Sequence, residues 1–243
     1  MTAAAVRLAL RLEATPARAA AGRRYFRTGP GEYGEGDVFI GVTVPAQRVV
    51  ARAFRALPLG QALLLLRSKV HEERLTALII LVDKFRNADE ASRAEIVRAY
   101  LASTRFVNNW DLVDTSAPQI LGAWLLARDR RVLRRLARSR SLWERRIAML
   151  ATLAFIAQGE HEDAFEIATL LLADEHDLLH KAVGWMLREV GQRVDPELLR
   201  AYLHEHATDM PRTALRYAIE HFPKAERDRW LADSRRIGRP RPS

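Results

Sequence analysis

The feature that most constrains this chain is a helical hydrophobic period that restarts at regular intervals. Leu75, Leu78, Ile79, Val82 and Phe85 recur at spacings of three and four, which lays them on one buried helix face. The same pattern runs through Ile120 to Leu126, Ile147 to Ile156 and Ala182 to Val190. Long apolar helices are expected to start near His71, Asn108, Ser141, Asp177 and Pro211. A shorter helix is expected before each, near Gln61, Ala91, Asp129, Ala164 and Pro196. The interval is roughly 35 residues, the length of one helix pair in an α-solenoid. Asp89 and Asp129 suit helix N-caps, and Pro196 and Pro211 suit first turns, where a missing N–H costs nothing. Each pair keeps an apolar face that only its neighbour can cover. The expected fold is therefore all-α: an α-solenoid of antiparallel helix pairs that curves and presents a concave surface. An irregular helical bundle is the competing arrangement. Alternation with a period of two is scarce, and the best strand candidate, Val38 to Val44, is weakened by Gly41 and Pro45.

A single domain is expected over residues 1–234, with residues 1–45 forming an N-terminal helix and a glycine-rich connection. That connection holds Gly29, Gly31, Gly34, Gly36 and Gly41. It could cradle a phosphate, but no Gly-Lys-Ser/Thr follows, and it reads as a link into the helical array. Residues 235–243 mix arginine, proline and glycine and are expected to form a disordered basic tail able to touch phosphate. Arg7 and Arg11 interrupt the N-terminal alanines, so no signal peptide is expected. No charge-free run reaches a membrane span. The expectation is a cytoplasmic monomer without a membrane partner. The chain has no cysteine, which excludes disulfides, thiolate zinc sites, cysteine nucleophiles and iron–sulfur clusters. The net charge of +9 favours a polyanionic partner. Lysine occurs only at Lys69, Lys84, Lys181 and Lys224. Such an arginine bias also arises from genomic base composition, so charge alone leaves the partner open.

Chemistry concentrates at Asn108-Asn109-Trp110-Asp111-Leu112-Val113-Asp114. On a helix Trp110 and Asp114 are i and i+4 and share a face. A flat apolar wall beside one anion suits a site. The bland alternative is a packed tryptophan at a helix start, with Asp114 in a salt bridge. Trp143 opens the next long helix and reads as core. Trp185 and Arg188 are i and i+3 on the following long helix. Gly184, beside Trp185, permits close approach, so contact and packing remain equally open there. Tryptophan and arginine on successive helices make a surface suited to a sugar–phosphate backbone.

Other chemistries fit poorly. His161 and His176 lie among carboxylates, but without metal-ligand spacing, so a solvated charged surface is the better reading. His71 and His180 begin long helices and are expected to hydrogen-bond in turns. No second carboxylate stands at a convincing spacing from Asp114 to act as an acid. Arg128, Arg130, Arg131, Arg134, Arg135, Arg138 and Arg140 form a run that is either a solvated face or a duplex contact.

Five stretches, in order, carry a specific resemblance. They are Gly41-Val42-Thr43-Val44-Pro45, His71-Glu72-Glu73-Arg74, Asn109-Trp110-Asp111-Leu112-Val113-Asp114, Trp143-Glu144-Arg145-Arg146 and Lys181-Ala182-Val183-Gly184-Trp185-Met186-Leu187-Arg188-Glu189. With these the chain resembles the DNA alkylation repair family, the alkylpurine DNA glycosylases built from HEAT-like helix pairs. The resemblance implies a partner, double-stranded DNA containing alkylated bases, bound on the concave face. It implies Asp114 as the catalytic carboxylate, Trp110 packed on the lesion's sugar and Trp185 as the opposite wall. It implies Arg146 and Arg188 on flanking phosphates, and neither cofactor nor metal. The expected reaction is hydrolysis of the N-glycosidic bond of a cationic N3- or N7-alkylated purine, such as 3-methyladenine or 7-methylguanine. The contrary expectation is a non-catalytic α-solenoid that binds DNA or a protein. Asp114 separates the two, because a carboxylate facing phosphate only repels it.

Overall fold

A computed structural model describes residues 1–237. They fall into two compact units, Met1–Trp124 and the chain from Leu125 onward. Among the described residues the architecture is helical, and the one β pairing is an isolated parallel bridge between Val38 and Val70. Each unit is a stack of helix pairs of the α-solenoid type.

The first unit contains α1 (Ala3–Leu12), α2 (Pro16–Tyr25), α3 (Val44–Ala53), α4 (Leu59–Leu66), α5 (His71–Asn87), α6 (Glu90–Leu101) and α7 (Trp110–Ser116). A π-helical turn, Pro118–Gly122, continues α7 into the short α8 (Ala123–Leu125). The second unit contains α9 (Arg131–Ala137), α10 (Leu142–Ala151), α11 (Leu153–Ile156), α12 (Glu162–Leu170), α13 (Asp177–Arg193), α14 (Pro196–His206), α15 (Arg212–Ala218) and α16 (Lys224–Ile237). The helix starts fall within a few residues of those expected from the period and the caps. Asp89 accepts from the Ser92 amide at 2.8 Å, and Asp195 accepts from the Glu197 amide at 2.8 Å ahead of Pro196 in the first turn of α14. The segment expected as a tail, 235–243, begins inside α16, and its remainder lies outside the described residues.

In the first unit α5 packs against α3, α4 and α7. Leu75, Leu78, Val82 and Phe85 are buried as the period predicts, but so are Ala77, Ile80 and Leu81, while Ile79 is only half-buried. The helix is enclosed on nearly all sides, which a single amphipathic stripe understates. The strand candidate at Val38 to Val44 reduces to its first residue. The Val38 amide donates to Lys69 O (3.1 Å), and Val38 O accepts from the His71 amide (2.8 Å). Gly41 then turns the chain at φ +82°, and the neighbouring amides point at a carboxylate instead of a strand.

In the second unit α13 packs against α10, α12, α14 and α15. Its Gly184 lets α15 come to van der Waals contact, because a Cβ there would overlap the Ala214 carbonyl and Tyr217 Cβ. Arginines tie successive helix pairs. Arg130 reaches Glu160 and Asp163 (2.6 Å each), Arg134 reaches Glu166 (2.5 and 2.6 Å), Arg145 reaches Asp174 (2.6 Å), and Arg200 reaches Glu226 (2.7 Å). Within the expected arginine run, Arg130 and Arg134 therefore join α9 to the α12 region, and Arg131 pairs locally with Asp129. Arg128, Arg135, Arg138 and Arg140 are exposed.

The close approach at Gly184 is directly testable. Gly184→Ala should lower unfolding free energy by about 1–3 kcal/mol or more, as overpacking does. Gly60→Ala in α4, where an added Cβ meets nothing within 4 Å, should cost no stability. Equal urea midpoints for both variants would contradict this packing.

Candidate active site

The site begins with an unusual first turn. His71, Glu72, Glu73 and Arg74 open α5 and are between 1% and 3% exposed. Buried charges persist only with partners, and each of these has one. Glu73 accepts from Arg7 of α1 at 2.9 Å. Glu72 accepts from the amides of Gly41 (2.7 Å) and Ile40 (3.1 Å), which shapes the glycine connection. Arg74 pairs with Asp37 at 2.7 Å and donates to Ser68 O at 3.0 Å. His71 lies between two carboxylates: Nδ1 is 3.1 Å from Asp37, and Nε2 is 2.8 Å from Asp111 at the start of α7. His71 was expected in a turn hydrogen bond; it is instead the buried junction between α5, α7 and the loop before α3.

Burial opposes a charge on His71, but its hydrogen bonds to Asp111 and Asp37 outweigh it and raise its pKa. Burial likewise opposes ionisation of Asp37, and His71 with Arg74 outweighs that and holds its carboxyl below the usual range. The His71 ring stacks on Phe39 (4.6 Å) and lies against Phe26 (4.7 Å). Phe26 in turn stacks on Trp110 at 5.3 Å, and Tyr25 meets the Trp110 ring edge-on at 5.9 Å. Trp110 is thus supported from beneath by aromatic rings whose base is the charged turn of α5.

Helical spacing brings three faces to one cleft of about 460 Å³. Arg48 and Arg52 come from α3, Asp83 and Arg86 from α5, and Trp110, Asp111 and Asp114 from α7. The structure therefore brings Trp110 and Asp114 together as the i, i+4 reading requires. It also supplies a carboxylate at Asp83 that no linear spacing disclosed, beside Asp111, which lies i, i+3 from Asp114 on α7. Asp83 follows the apolar run Leu75 to Val82, and a carboxylate on a helix so fully enclosed is the signal that could have found it. Arg48, Arg52 and Arg86 are exposed and make the rim basic.

The backbone below Asp114 is irregular. Pro118 has no N–H to give the Asp114 carbonyl, and the Gly122 amide bonds to Ala117 O at 2.9 Å in a π-helical step. Beneath lies Tyr100, fully buried, with its hydroxyl 3.0 Å from Ser116 Oγ. Burial raises the Tyr100 pKa, and the charge of Asp114 adds to that rise.

The remaining expected residues belong to the second unit. Trp185 is half-buried and donates from Nε1 to Glu189 at 2.9 Å. Arg188 pairs with Glu189 at 3.4 Å and with Glu220. Arg146 is only 4% exposed and donates to Leu178 O at 2.5 Å. Trp143 is half-buried. His176 caps α13, its Nδ1 accepting from the Leu178 amide, and His180 bonds the Asp174 carbonyl in the preceding turn. Among the described residues no group of three His, Cys, Asp or Glu side chains could hold a metal, and no helix is long and apolar enough to cross a membrane.

Asp37 sets an acid limit on stability. Its folded pKa is depressed, so its contribution is present above the unfolded value, ordinarily 3.8, and is lost as pH falls through the folded value. The difference in unfolding free energy between wild type and Asp37→Asn, measured in urea, should shrink as pH drops below that range. A difference that stays constant with pH would refute this ionisation.

Comparison with known proteins agrees with this architecture. No curated protein sequence matches the chain. A solved structure described as a predicted DNA alkylation repair enzyme from Enterococcus faecalis superimposes with a TM-score of 0.69 at 16% identity, covering 87% of this chain and 98% of that one. At that identity the likeness speaks for the fold. The sequence pattern of the family described as DNA alkylation repair enzyme matches residues 6–222, which is most of the chain. The protein therefore belongs to the DNA alkylation repair enzyme family.

Proposed function

We propose that this protein is a monofunctional DNA glycosylase that hydrolyses the N-glycosidic bond of cationic N3- or N7-alkylated purines in duplex DNA. The observation that carries the proposal is the pairing of Trp110 and Asp114 in one cleft with a basic rim. A purine alkylated at N3 or N7 bears a positive charge and leaves without being protonated. The C1′–N bond breaks with its electron pair going to the base, which becomes neutral, and the deoxyribose passes through an oxocarbenium-like state. Asp114 offsets that charge and orients the water whose oxygen attacks C1′, the water's proton passing to the carboxylate or to solvent. Trp110 offers a π face to the cationic sugar. The products are the free base and an abasic site.

In this proposal Trp185 of the second unit offers DNA an aromatic surface, and Arg188 and Arg146 serve as phosphate contacts. Arg188 meets a phosphate by exchanging Glu220, an exposed partner, for it. Arg146 is buried and donates from Nη1 to Leu178 O, and its other N–H groups are the phosphate donors in this proposal. The exposed Arg48, Arg52 and Arg86 add positive charge around the cleft.

Two measurements test these roles. Asp114→Asn keeps the shape and removes the charge, so single-turnover release of 7-methylguanine should fall on the order of 10²-fold or more. Duplex binding should persist or tighten, since a charge that repels phosphate is gone. Release at the wild-type rate would replace the glycosylase with a non-catalytic DNA-binding solenoid. Arg188→Ala should weaken binding to damaged and undamaged duplex alike and flatten the salt dependence of log K by about one unit. An unchanged slope would remove Arg188 from the phosphate contacts.

A further inference from the structure

We propose that His71 is a positioning residue for the glycosylase reaction: an imidazolium that donates from both ring nitrogens, to Asp37 and to Asp111, and so locks the amino end of α7 with Trp110 and Asp114 aimed into the cleft. The inference rests on the glycosylase reading above and adds a component to it.

The geometry is decisive because of donor counting. Ionised carboxylates only accept hydrogen bonds, and a neutral imidazole carries one N–H. Here Nδ1 and Nε2 each face a carboxylate oxygen, at 3.1 and 2.8 Å. With both carboxylates ionised, both contacts are hydrogen bonds only if both nitrogens are protonated. The side chain is 2% exposed, so water does not substitute for either partner. The charged groups facing it are Asp37 from the loop before α3, Asp111 from α7, and Arg74 one turn along α5, whose charge is taken up by Asp37. The ring also meets Phe26 and Phe39, which do not titrate.

The consequence reaches the cleft by two routes. Asp111 accepts from the Leu112 amide through one oxygen (2.9 Å) and from His71 through the other, so the first turn of α7 is pinned to the first turn of α5. Phe26, resting on His71, supports the Trp110 ring. When the ring proton leaves, one carboxylate meets a lone pair, that contact turns repulsive, and both supports loosen. The raised pKa of His71 fits a proton held by this pair of anions. Release of a cationic base itself needs no protein proton. An alkaline loss of activity that follows His71 therefore reports positioning.

The test is the pH dependence of the ratio of single-turnover 7-methylguanine release, wild type over His71→Gln, from about pH 5.5 to 9.5. The lesion's own titration is common to both proteins and cancels. Glutamine keeps one donor for Asp111 but no titrating proton. At the acid end the ratio should be about 10-fold or more, and it should approach one as pH rises past a midpoint above the ordinary imidazole value. Binding to undamaged duplex should differ little. A ratio that is constant with pH overturns the proposal, whatever its size. Long-range proton–nitrogen NMR of the wild-type histidine provides an independent arm if His71→Gln fails to fold. Both His71 nitrogens should be protonated at about pH 6, and one unprotonated nitrogen there overturns the imidazolium. If wild type releases no base at any pH, the glycosylase reading fails by itself, and the NMR spectrum still decides the pairing of His71.

Discussion

Everything that positions the cleft depends on burying four ionisable residues in succession at the start of α5. A charge taken out of water without a partner costs several kcal/mol, so His71, Glu72, Glu73 and Arg74 oblige other segments to come to them. Arg7 brings α1, Asp37 and the amides of Ile40 and Gly41 bring the glycine connection, and Asp111 brings α7. Removing one partner from such a pair typically costs about 3–5 kcal/mol, because the other charge stays buried. The first turn of α5 thus acts as a junction that three otherwise separate segments must satisfy together. Apolar packing around α5 supplies the driving force for burial, and the charged turn supplies the register.

The second unit solves its register problem differently. Its arginine–carboxylate links span 30 and 33 residues for Arg130, 32 for Arg134, 29 for Arg145 and 26 for Arg200, close to one helix pair each. Such half-exposed pairs add little stability singly. They align one pair on the next, while Gly184 sets how closely α15 can lie on α13. Much of the arginine in this unit is consequently engaged in holding the stack. The net positive charge overstates how many guanidinium groups are available to a polyanion, and the distinction depends on which carboxylates fold against them.

The cleft of the first unit combines an anionic floor with a cationic rim. Asp83, Asp111 and Asp114 face a space bordered by Arg48, Arg52 and Arg86. For the reaction proposed, that separation is useful: a rim of positive charge attracts the phosphodiester backbone, and a carboxylate further in stabilises a transient positive charge on the sugar. A surface built for phosphate alone would gain nothing from the inner carboxylates. The π-helical step after Asp114 is a local irregularity of the kind often found where a helix must aim a side chain.

The sequence by itself determined the helical class, the helix-pair interval, the Asp89 cap and the Trp110–Asp114 pairing, while Asp129 stands one residue before the N-cap Arg130 and Pro211 is itself an N-cap. All of these are local, since helical periodicity, N-capping and an i, i+4 relation are set by residues within a turn or two of one another. The motif resemblance, confirmed by the family match over residues 6–222, added the class of repair enzyme. Only the tertiary structure decided that His71 is clamped by Asp37 and Asp111, 34 and 40 residues away. It also decided that Asp83 shares the cleft, that buried Arg146 donates to the Leu178 carbonyl, and that Val38 to Val44 bends around Glu72 without pairing as a strand. The physical reason is the same in each case. The partner of a buried charge or an unpaired amide is whichever group the packing of apolar faces brings within hydrogen-bond reach, and no spacing along the chain encodes that choice.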